Sequence, residues 1–595
     1  MNKTKRSYGF FLERHMDKFP LLFTLLIIGL SAFLLAYPYY NKAVLEPWFA
    51  KSAYYFISAL IIIWASCFYQ WAELLERGIP KTTHLLALLF AFLIAFIVWS
   101  GVEHTFKVLA DEANLMSISQ SLTFEKTAYN HTSGRWYYNN FWPLVSVIDK
   151  RPILFPYIVQ IFHVLFGYSI TNALIANCFL LFLMLYVVFL LVYPVGGILG
   201  GFAGMLLLAA QPIVCITAVS GGFDTLSCLL QFWVSYLVYR ICTRKDEHIY
   251  LLLWYSLMLL LHVRYENMLA FPMVMLLLII FKKFPLSELK KNSYFYAFSI
   301  LFVVPRIWLL MSNQNYENPA GVPVIGWVNF VKYAPIFAKD FFSLHYDLPY
   351  ATILNVTSLF IGLVWVILFL VKREKLLPVK YFPFALVVLF FSTSELAITL
   401  SHHFGLFNHP TQARLFLIFI GFMSLVPFLL KDILGFFPSK FALLAGANFF
   451  LIYFPIAQEN RFVNKLTIIR KTDWTYAFLD SLKEKHPMVI TDRPGIYSIR
   501  QMGAVDFETA KKNSKMIGED LKNRLYSEIY VVEDVKIDNP KSQLEGYFKM
   551  ETVFERQNTG NEIVRISKVL EVSPPAQIPV KIEKISDSTK TKSEK

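Results

Sequence analysis

The 595-residue chain is poor in charge: Asp, Glu, Lys and Arg make up 16% of it, against about 25% in soluble globular proteins. It has no internal repeat and no Gly-rich phosphate-binding loop. Apolar residues make up 56% of the chain. This composition excludes a soluble globular protein and predicts a polytopic membrane protein.

Cysteine is also scarce. The chain has 5 cysteines, and no two have the spacing of metal ligands. All of them lie in or beside apolar runs, where cysteine acts as a small hydrophobic side chain. The formal net charge of +14 is expected to lie mainly in cytoplasmic loops and the tail. It favours contact with anionic membrane lipids over nucleic acid as a partner.

Long apolar runs make up most of the chain. About 20 apolar residues are needed to cross a bilayer, and the runs predict an all-α polytopic domain of about thirteen transmembrane helices. The predicted spans are 21–40, 53–70, 83–101, 170–193, 197–217, 221–241, 249–263, 267–281, 294–311, 351–371, 381–400, 415–430 and 441–457.

Lys and Arg precede the first predicted span and recur in alternate short loops. The positive-inside rule therefore predicts a cytoplasmic N terminus. The same orientation places Asp111, Asp149, Arg264 and His402, together with the C-terminal segment, on the extracytoplasmic side.

The outer loop 102–152 carries the most unusual charges. Asp111 and Glu112 begin a segment with helical spacing of apolar residues, which predicts an amphipathic helix lying on the membrane surface. For Glu112, a structural role as an acid at a helix N-terminus explains the sequence as well as a functional role does. Pro152 begins a second apolar helix, 153–165, that is too short to span and is predicted to be re-entrant or surface-bound.

Other polar groups stand at the outer ends of predicted spans. Asp149, Lys150 and Arg151 precede the short helix, Asp224 heads a later span, and Arg264 with Glu266 interrupts an apolar run. Charges at such depth indicate a functional site. Simpler interpretations are a helix N-cap for Asp224 and an ion pair with Glu266 or Asp149 for Arg264.

Two further candidates follow. Arg414 stands at the head of a span, where an arginine is as often a lipid head-group anchor. His402 and His403 open an outer loop, and with a carboxylate they could form part of a divalent metal site. Adjacent histidines diverge in direction, so no metal or other cofactor is predicted and metal binding stays a minor alternative.

The order of these motifs resembles a known family. Asp111-Glu112-Ala113, the acid–Lys–x–Pro helix ending in Phe166-Gly167, and Ser220-Gly-Gly-Phe-Asp224 resemble the GT-C class of membrane glycosyltransferases over roughly residues 83–430. The closest likeness is to the protein O-mannosyltransferase and aminoarabinose lipid A transferase branch. In this chain two spans precede the helix that usually comes first.

This resemblance implies a polyprenyl-phosphate-linked sugar as donor and transfer outside the cytoplasm with inversion at the anomeric carbon. It implies Asp111 as the leading aspartate, Lys150 and Arg151 as the bases near Pro152, and Arg264 as a basic residue at an outer turn. The layout is that of bacterial members, so the bacterial inner (plasma) membrane is the expected location.

The chemistry can also be argued from the residues. A phosphate leaves an anomeric carbon as a stabilised anion, so transfer needs a base for the attacking hydroxyl and cations for the phosphate. Asp111 is predicted as the base, with Glu112 and Asp224 in the catalytic set. The substrate-binding set is predicted to comprise Asp149, Lys150, Arg151, Arg264, Glu266, His402, His403 and Arg414.

The chain divides into four predicted parts. Residues 1–82 hold a cytoplasmic segment and two extra spans, and 83–457 form the catalytic membrane domain with its outer loop 102–169. Short strand-like runs and a hairpin predict a small extracytoplasmic α/β domain over 458–572. A disordered tail is predicted for 573–595 because it is rich in Pro, Lys and Ser.

The sequence thus predicts a membrane glycosyltransferase acting on an extracytoplasmic glycan, lipid or protein. One alternative is a transporter or flippase of a lipid-linked substrate, although transporters often carry repeats and charges near the bilayer midplane. A second alternative is a ligase or polymerase of lipid-linked glycans, whose topology would be similar.

Overall fold

The structure is a computed structural model that describes residues 20–75, 78–137, 140–243, 249–312, 325–344, 352–371, 381–409, 411–459, 467–482, 486–558 and 560–572. The chain forms two compact units: Met1–Thr132 with Leu144–Arg470, and Ser133–Pro143 with Lys471–Lys595. The predicted tail 573–595 lies outside the described residues.

The first unit is built from helices. In chain order they are α1 Pro20–Tyr40, α2 Lys42–Leu75, α3 Lys81–Gly101, α4 Leu109–Phe124, α5 Leu154–Phe166, α6 Thr171–Ala209, α7 Pro212–Ala218, α8 Asp224–Thr243, α9 Ile249–Leu261, α10 Ala270–Ile280, α11 Leu286–Lys291, α12 Ser293–Ser312, α13 Trp327–Ser343, α14 Ile353–Val371, α15 Phe382–Ser401, α16 Leu417–Met423, α17 Leu430–Leu434 and α18 Ser439–Glu459.

Within the described residues, 10 helical segments are long and apolar enough to cross a membrane. They identify an integral membrane protein, as predicted. Two predicted spans lie in the 39-residue segment α6, whose backbone is not helical at Gly197 (φ 65°, ψ −160°). A Cβ added to Gly204 would lie 3.1 Å from Val192 and 3.3 Å from Val188, whereas residues 12 apart in one straight helix are about 18 Å apart. The two halves of α6 therefore pack against each other, as two predicted spans require. The two runs predicted on either side of Arg264 form shorter apolar helical segments, Ile249–Leu261 and Glu266–Ile280.

Helix α4 corrects one prediction. Its sequence predicts an amphipathic helix on the membrane surface, but Leu115, Met116 and Ile118 are buried and so are the polar Ser117, Ser119 and Gln120. Ser117 is satisfied by the backbone of His131, because its Oγ donates to that carbonyl oxygen at 3.1 Å. The helix is therefore surrounded by protein, which fixes the carboxylates of its first turn.

Helix α5 matches the predicted short apolar helix to within one residue at each end. It buries Leu154, Phe155 and Val159 and exposes Val164 and Leu165. Its first turn is attached to the turn after α9, because the backbone N–H of Leu154 donates to the carbonyl oxygen of His262 at 3.1 Å. The segments carrying Arg151 and Arg264 are thereby held side by side.

The second unit contains most of a seven-stranded sheet with the order β2-β1-β4-β3-β5-β7-β6. Its strands are β1 Asn130–Tyr137, β2 Asn140–Val147, β3 Met488–Thr491, β4 Gly503–Val505, β5 Ile529–Lys536, β6 Phe548–Gln557 and β7 Glu562–Val572. Its helices are α19 Thr467–Ser481, α20 Pro494–Ser498, α21 Phe507–Lys512 and α22 Ser514–Lys522.

The predicted strands and the C-terminal hairpin of this unit are present, with β6 and β7 antiparallel. Strands β3 and β5 are parallel, in register from Met488 opposite Ile529 to Thr491 opposite Val532. The buried core includes Ile490, Val531 and Val569. The short strand β4 and the two strands from the outer loop were not predicted.

Candidate active site

Asp111 lies in the first turn of α4 and is held by two arginines. Arg151 Nη2 pairs with Asp111 Oδ1, and Arg414 Nη2 pairs with Asp111 Oδ2. Arg151 comes from the turn before α5, whereas Arg414 comes from a 3-10 turn, Ala413–Phe416, that precedes α16. Three segments far apart in sequence therefore meet at one carboxylate.

Asp149 orients Arg151. The Nη1 atom of Arg151 lies 2.7 Å from Asp149 Oδ1 and 2.6 Å from Oδ2, and its backbone N–H donates to Oδ1 at 2.9 Å. Asn114 Nδ2 donates to Asp149 Oδ2 at 2.9 Å. Because Asn114 is on α4, it links the helix of Asp111 to the turn of Arg151.

Asp224, the first residue of α8, receives two arginines as well. Arg264 Nη1 lies 2.6 Å from Oδ1 and Arg414 Nη1 lies 3.3 Å from Oδ2. Glu266 holds the other edge of Arg264, with its Oε1 at 3.2 Å from Nη2. The guanidinium groups of Arg264 and Arg414 lie 5.3 Å and 5.8 Å from the ring of Phe223, within the range of a cation–π contact.

The resulting chain of charges alternates in sign: Asp149, Arg151, Asp111, Arg414, Asp224, Arg264 and Glu266. The arginine side chains are only 8% to 14% exposed. At such burial an unpaired charge would be strongly destabilising. The pairing therefore allows three guanidinium groups to converge on one region.

These pairings shift the ionisation of the acids and bases outside the spans. Burial opposes ionisation of Asp111, but Arg414 and Arg151 outweigh it and lower the pKa of this carboxyl to about 2. Burial also disfavours the charged form of Arg264, but Glu266 and Asp224 outweigh it, so the pKa of Arg264 is raised. Both side chains stay charged at neutral pH.

Glu112 has a different environment from its neighbour. It is buried, and its Oε1 accepts hydrogen bonds from the backbone N–H groups of Lys107 (3.1 Å) and Val108 (3.0 Å), while Oε2 accepts one from Gly221 (2.8 Å). Burial raises its pKa to about 7 despite these bonds. Glu112 thus joins the start of α4 to the turn that leads into Asp224.

The histidine pair lies beside this cluster. His402 Nε2 is 3.8 Å from Glu266 Oε1 and 3.5 Å from the hydroxyl of Tyr265. Burial lowers the pKa of His402 to about 4, so the ring is neutral. His403 lies next to it, and its carbonyl oxygen accepts the Tyr333 hydroxyl at 2.8 Å. Lys150 is half-buried, and its charge also disfavours protonation of His402.

Within the described residues, no group of three or more His, Cys, Asp and Glu side chains is arranged to hold a metal ion. A cavity of about 20 Å³ beside the cluster is lined by Arg264, Glu266 and His402, among others. Such a volume has room for about one water molecule.

The structure therefore brings most of the predicted site residues together in one unit. Three contributors were not predicted: Asn114, Tyr265 and Asn177, whose Nδ2 donates to the carbonyl oxygens of Ser220 (2.6 Å) and Gly222 (2.7 Å). Asn177 could have been noticed, because an amide inside an apolar helix needs a specific partner. Asn114 and Tyr265 carry no comparable signal in the sequence.

The fold and the cluster define an integral membrane protein of helical architecture, with paired acids and arginines at helix ends and a small sheet-containing C-terminal region. Residues 150–309 match the family model of dolichyl-phosphate-mannose-protein mannosyltransferases. The resemblance to GT-C membrane glycosyltransferases that the motifs predicted is confirmed by this match. No curated protein matches the chain in sequence.

Solved structures with a similar chain course include ArnT from Cupriavidus metallidurans bound to undecaprenyl phosphate. It is 11% identical, with a TM-score of 0.48 over 84% of this chain and 100% of that chain. Another is the oligosaccharyltransferase AglB from Archaeoglobus fulgidus in complex with an inhibitory peptide and a dolichol-phosphate. It is 12% identical, with a TM-score of 0.41 over 85% of this chain and 76% of that chain.

Proposed function

We propose that this protein is a membrane glycosyltransferase that moves a sugar from a polyprenyl-phosphate donor to an extracytoplasmic glycan, lipid or protein, with inversion. We place it in the bacterial inner membrane, with its N terminus in the cytoplasm. The observation that carries the proposal is the sharing of Asp111 between Arg151 and Arg414. One carboxylate thus contacts two guanidinium groups, which are side chains suited to binding a phosphate.

The arginines supply the donor end of the reaction. Guanidinium groups bind phosphate oxygens in pairs of parallel hydrogen bonds. A lipid phosphate entering the cluster competes with Asp111 for Arg151 and Arg414. In this proposal the phosphodiester group of the donor, which carries one negative charge, replaces the carboxylate as their partner before any bond is broken.

Asp111 then serves the acceptor end. A carboxylate whose pKa is about 2 is a weak base, since a general base works best with a pKa near the operating pH. Loss of its arginine partners to the phosphate raises that pKa, because burial is then opposed by fewer cations. Substrate binding would thus activate the base.

The transfer step needs no general acid, because the phosphate leaves without taking up a proton. The acceptor oxygen bonds to the anomeric carbon, the bond from that carbon to the phosphate oxygen breaks, and the acceptor proton passes to Asp111. The polyprenyl phosphate leaves as a monoester that the arginines stabilise. Asp224 lies between Arg264 and Arg414 and keeps both aligned.

The test is a transfer assay on the purified protein with polyprenyl-phosphate hexose and pentose donors, measuring release of the polyprenyl phosphate. The acceptor class would come from mass spectrometry of envelope glycans, lipids and glycoproteins in a deletion strain. If no donor is cleaved and the deletion alters no glycoconjugate, the glycosyltransferase proposal is wrong.

The base assignment has its own test. Asp111→Asn is expected to lower the transfer rate by about 10² to 10⁴-fold, the usual contribution of a general base. Glu103→Gln is the control, since Glu103 is an exposed acid of the same outer segment. An Asp111→Asn protein that elutes as the wild type and keeps full activity would refute the assignment.

A further inference from the structure

A second cavity lies at the opposite end of α8 from Asp224. Its volume is about 1240 Å³, and Arg240 is in its wall. Arg240 follows Asp224 on the same helix at a distance of about 24 Å along the axis, given a rise of about 1.5 Å per residue. The cavity is therefore separate from the candidate active site and lies toward the face predicted to be cytoplasmic.

Segment α6 is broken at the wall of this cavity. Gly197 has φ +65°, and a Cβ added there would meet no atom within 4 Å. The carbonyl oxygen of Gly196 is released from the helix and accepts a hydrogen bond from Ser439 Oγ at 2.8 Å. Pro194 to Gly197 line the cavity together with residues at the ends of α8 and α10.

The charged residues of the described lining all have one sign. Arg240, Lys282 and Lys431 contribute cations, and the described lining contains no Asp or Glu. Arg240 is 5% exposed, and its Nη1 donates to the Tyr236 hydroxyl at 3.1 Å. Lys431 lies over the ring of Tyr381, with Nζ 5.4 Å from its centroid. This lining favours an anionic ligand.

The remaining wall is apolar and aromatic. Phe281, Phe369, Phe437 and Leu386 lie beside four tyrosines that can donate hydrogen bonds through their hydroxyl groups. The volume is larger than a free phosphate needs and exceeds that of most small-molecule pockets. A ligand with an anionic head and an apolar body at the ends of membrane-crossing helices is a membrane lipid.

We propose that this cavity, lined by Arg240, Lys282 and Lys431, binds the phosphate head group of an anionic glycerophospholipid. The proposal does not depend on the transfer reaction, because none of these residues belongs to the candidate active site. Such a lipid would hold the break in α6 at Gly197 against the ends of α8, α15 and α17.

The test is native mass spectrometry and thermal unfolding of the full-length protein in detergent, titrated with short-chain phosphatidylglycerol. Phosphatidylcholine and inorganic phosphate are run at matched concentrations. We expect phosphatidylglycerol alone to raise the unfolding temperature and to stay bound in the gas phase, since a ligand stabilises the state that it binds.

The variant is Lys282→Gln with Lys431→Gln, which removes both positive charges, keeps polar side chains at these positions and leaves the buried Arg240 intact. Loss of two cations near a lipid phosphate is expected to weaken phosphatidylglycerol binding by about 30-fold. Lys440→Gln is the matched control, because Lys440 is exposed and outside the described lining. The unfolding temperatures without lipid show whether the variants fold.

Three results would overturn the proposal. Equal stabilisation by phosphatidylcholine would mean that charge does not select the lipid. Equal stabilisation by inorganic phosphate would mean that the site binds an anion and not a lipid. A folded double variant with the affinity of the wild type would mean that these lysines do not form the site.

Discussion

At the scale of single residues, Asp111 is paired with the same arginines that a phosphate would use. Arg151 and Arg414 each bind one of its oxygens. Since two guanidinium groups hold its pKa at about 2, the carboxylate stays ionised throughout the physiological range. Its basicity therefore depends on which partners remain after the donor binds.

This arrangement predicts the pH dependence of transfer. The acidic limb of kcat/KM reports the base of the free enzyme, so in the wild type Asp111 should cause no loss between pH 7 and about pH 4. Arg151→Gln removes one of the cations that lower the pKa of Asp111, while burial continues to raise it. We expect the acidic limb of kcat/KM to move to higher pH, together with a higher KM for the donor.

Arg500→Gln is the control, since Arg500 pairs with Asp480 in the other unit. Its profile should overlay that of the wild type. An acidic limb that stays in place in Arg151→Gln, with only KM changed, would show that Arg151 binds the donor without setting the basicity of Asp111.

At the scale of elements, the turn before α8 positions both acids. Glu112 accepts the N–H of Gly221, and Asn177 donates to the carbonyl oxygens of Ser220 and Gly222. A Cβ on Gly221 would lie 2.7 Å from Cε1 of Phe106, closer than carbon atoms can approach. The glycine is therefore required by close packing at this turn.

Gly221→Ala should push the turn before α8 away from α4, because the added methyl group has no room there. We expect a loss of stability of about 1 to 3 kcal/mol, typical of overpacking, and a larger fractional loss of transfer because Asp224 and Arg414 lose their alignment. The measurements are the unfolding temperature in detergent and the release of polyprenyl phosphate.

Gly362→Ala is the matched control, because a Cβ there meets its nearest atoms at 3.4 Å and 3.5 Å, which is ordinary contact. It lies within α14 and should keep both stability and activity. Gly221→Ala with wild-type values in both measurements would contradict the packing argument.

At the scale of the whole molecule, the outer loop contributes strands to the C-terminal sheet. Gly134 of β1 is paired with Ala504 of β4, so residues 133–143 belong to the same unit as 471–595. Trp136 packs against the core of this unit, and its indole N–H donates to the carbonyl oxygen of Gln501 at 2.8 Å. The C-terminal unit is thus completed by a segment far earlier in the chain.

Trp136→Ala is expected to destabilise this unit by about 2 to 3 kcal/mol, somewhat less than loss of a fully buried Trp. Limited proteolysis should then cut within 486–572 sooner than in the wild type. Trp142→Ala is the control, since Trp142 is 55% exposed and should leave the cleavage rate unchanged. Equal rates for the two variants would show that β1 does not stabilise the unit.

Much of this architecture is local and could be predicted from the sequence. Apolar runs require helices in a bilayer because each backbone polar group must be satisfied within its own segment. The limits of α5 follow from Pro152 before the helix and Gly167 after it. The C-terminal hairpin follows from the turn residues between its two strand-like runs.

The sequence by itself determined the class of protein and the residue types of the candidate site, since composition and charge at helix ends are properties of the chain. Only the tertiary structure decided which acid pairs with which arginine, that α4 is buried, and that β1 and β2 join the distant sheet. The pairs Arg414 with Asp111 and Arg264 with Asp224 join residues separated by 303 and 40 positions. Such contacts depend on packing between helices, which no local pattern encodes.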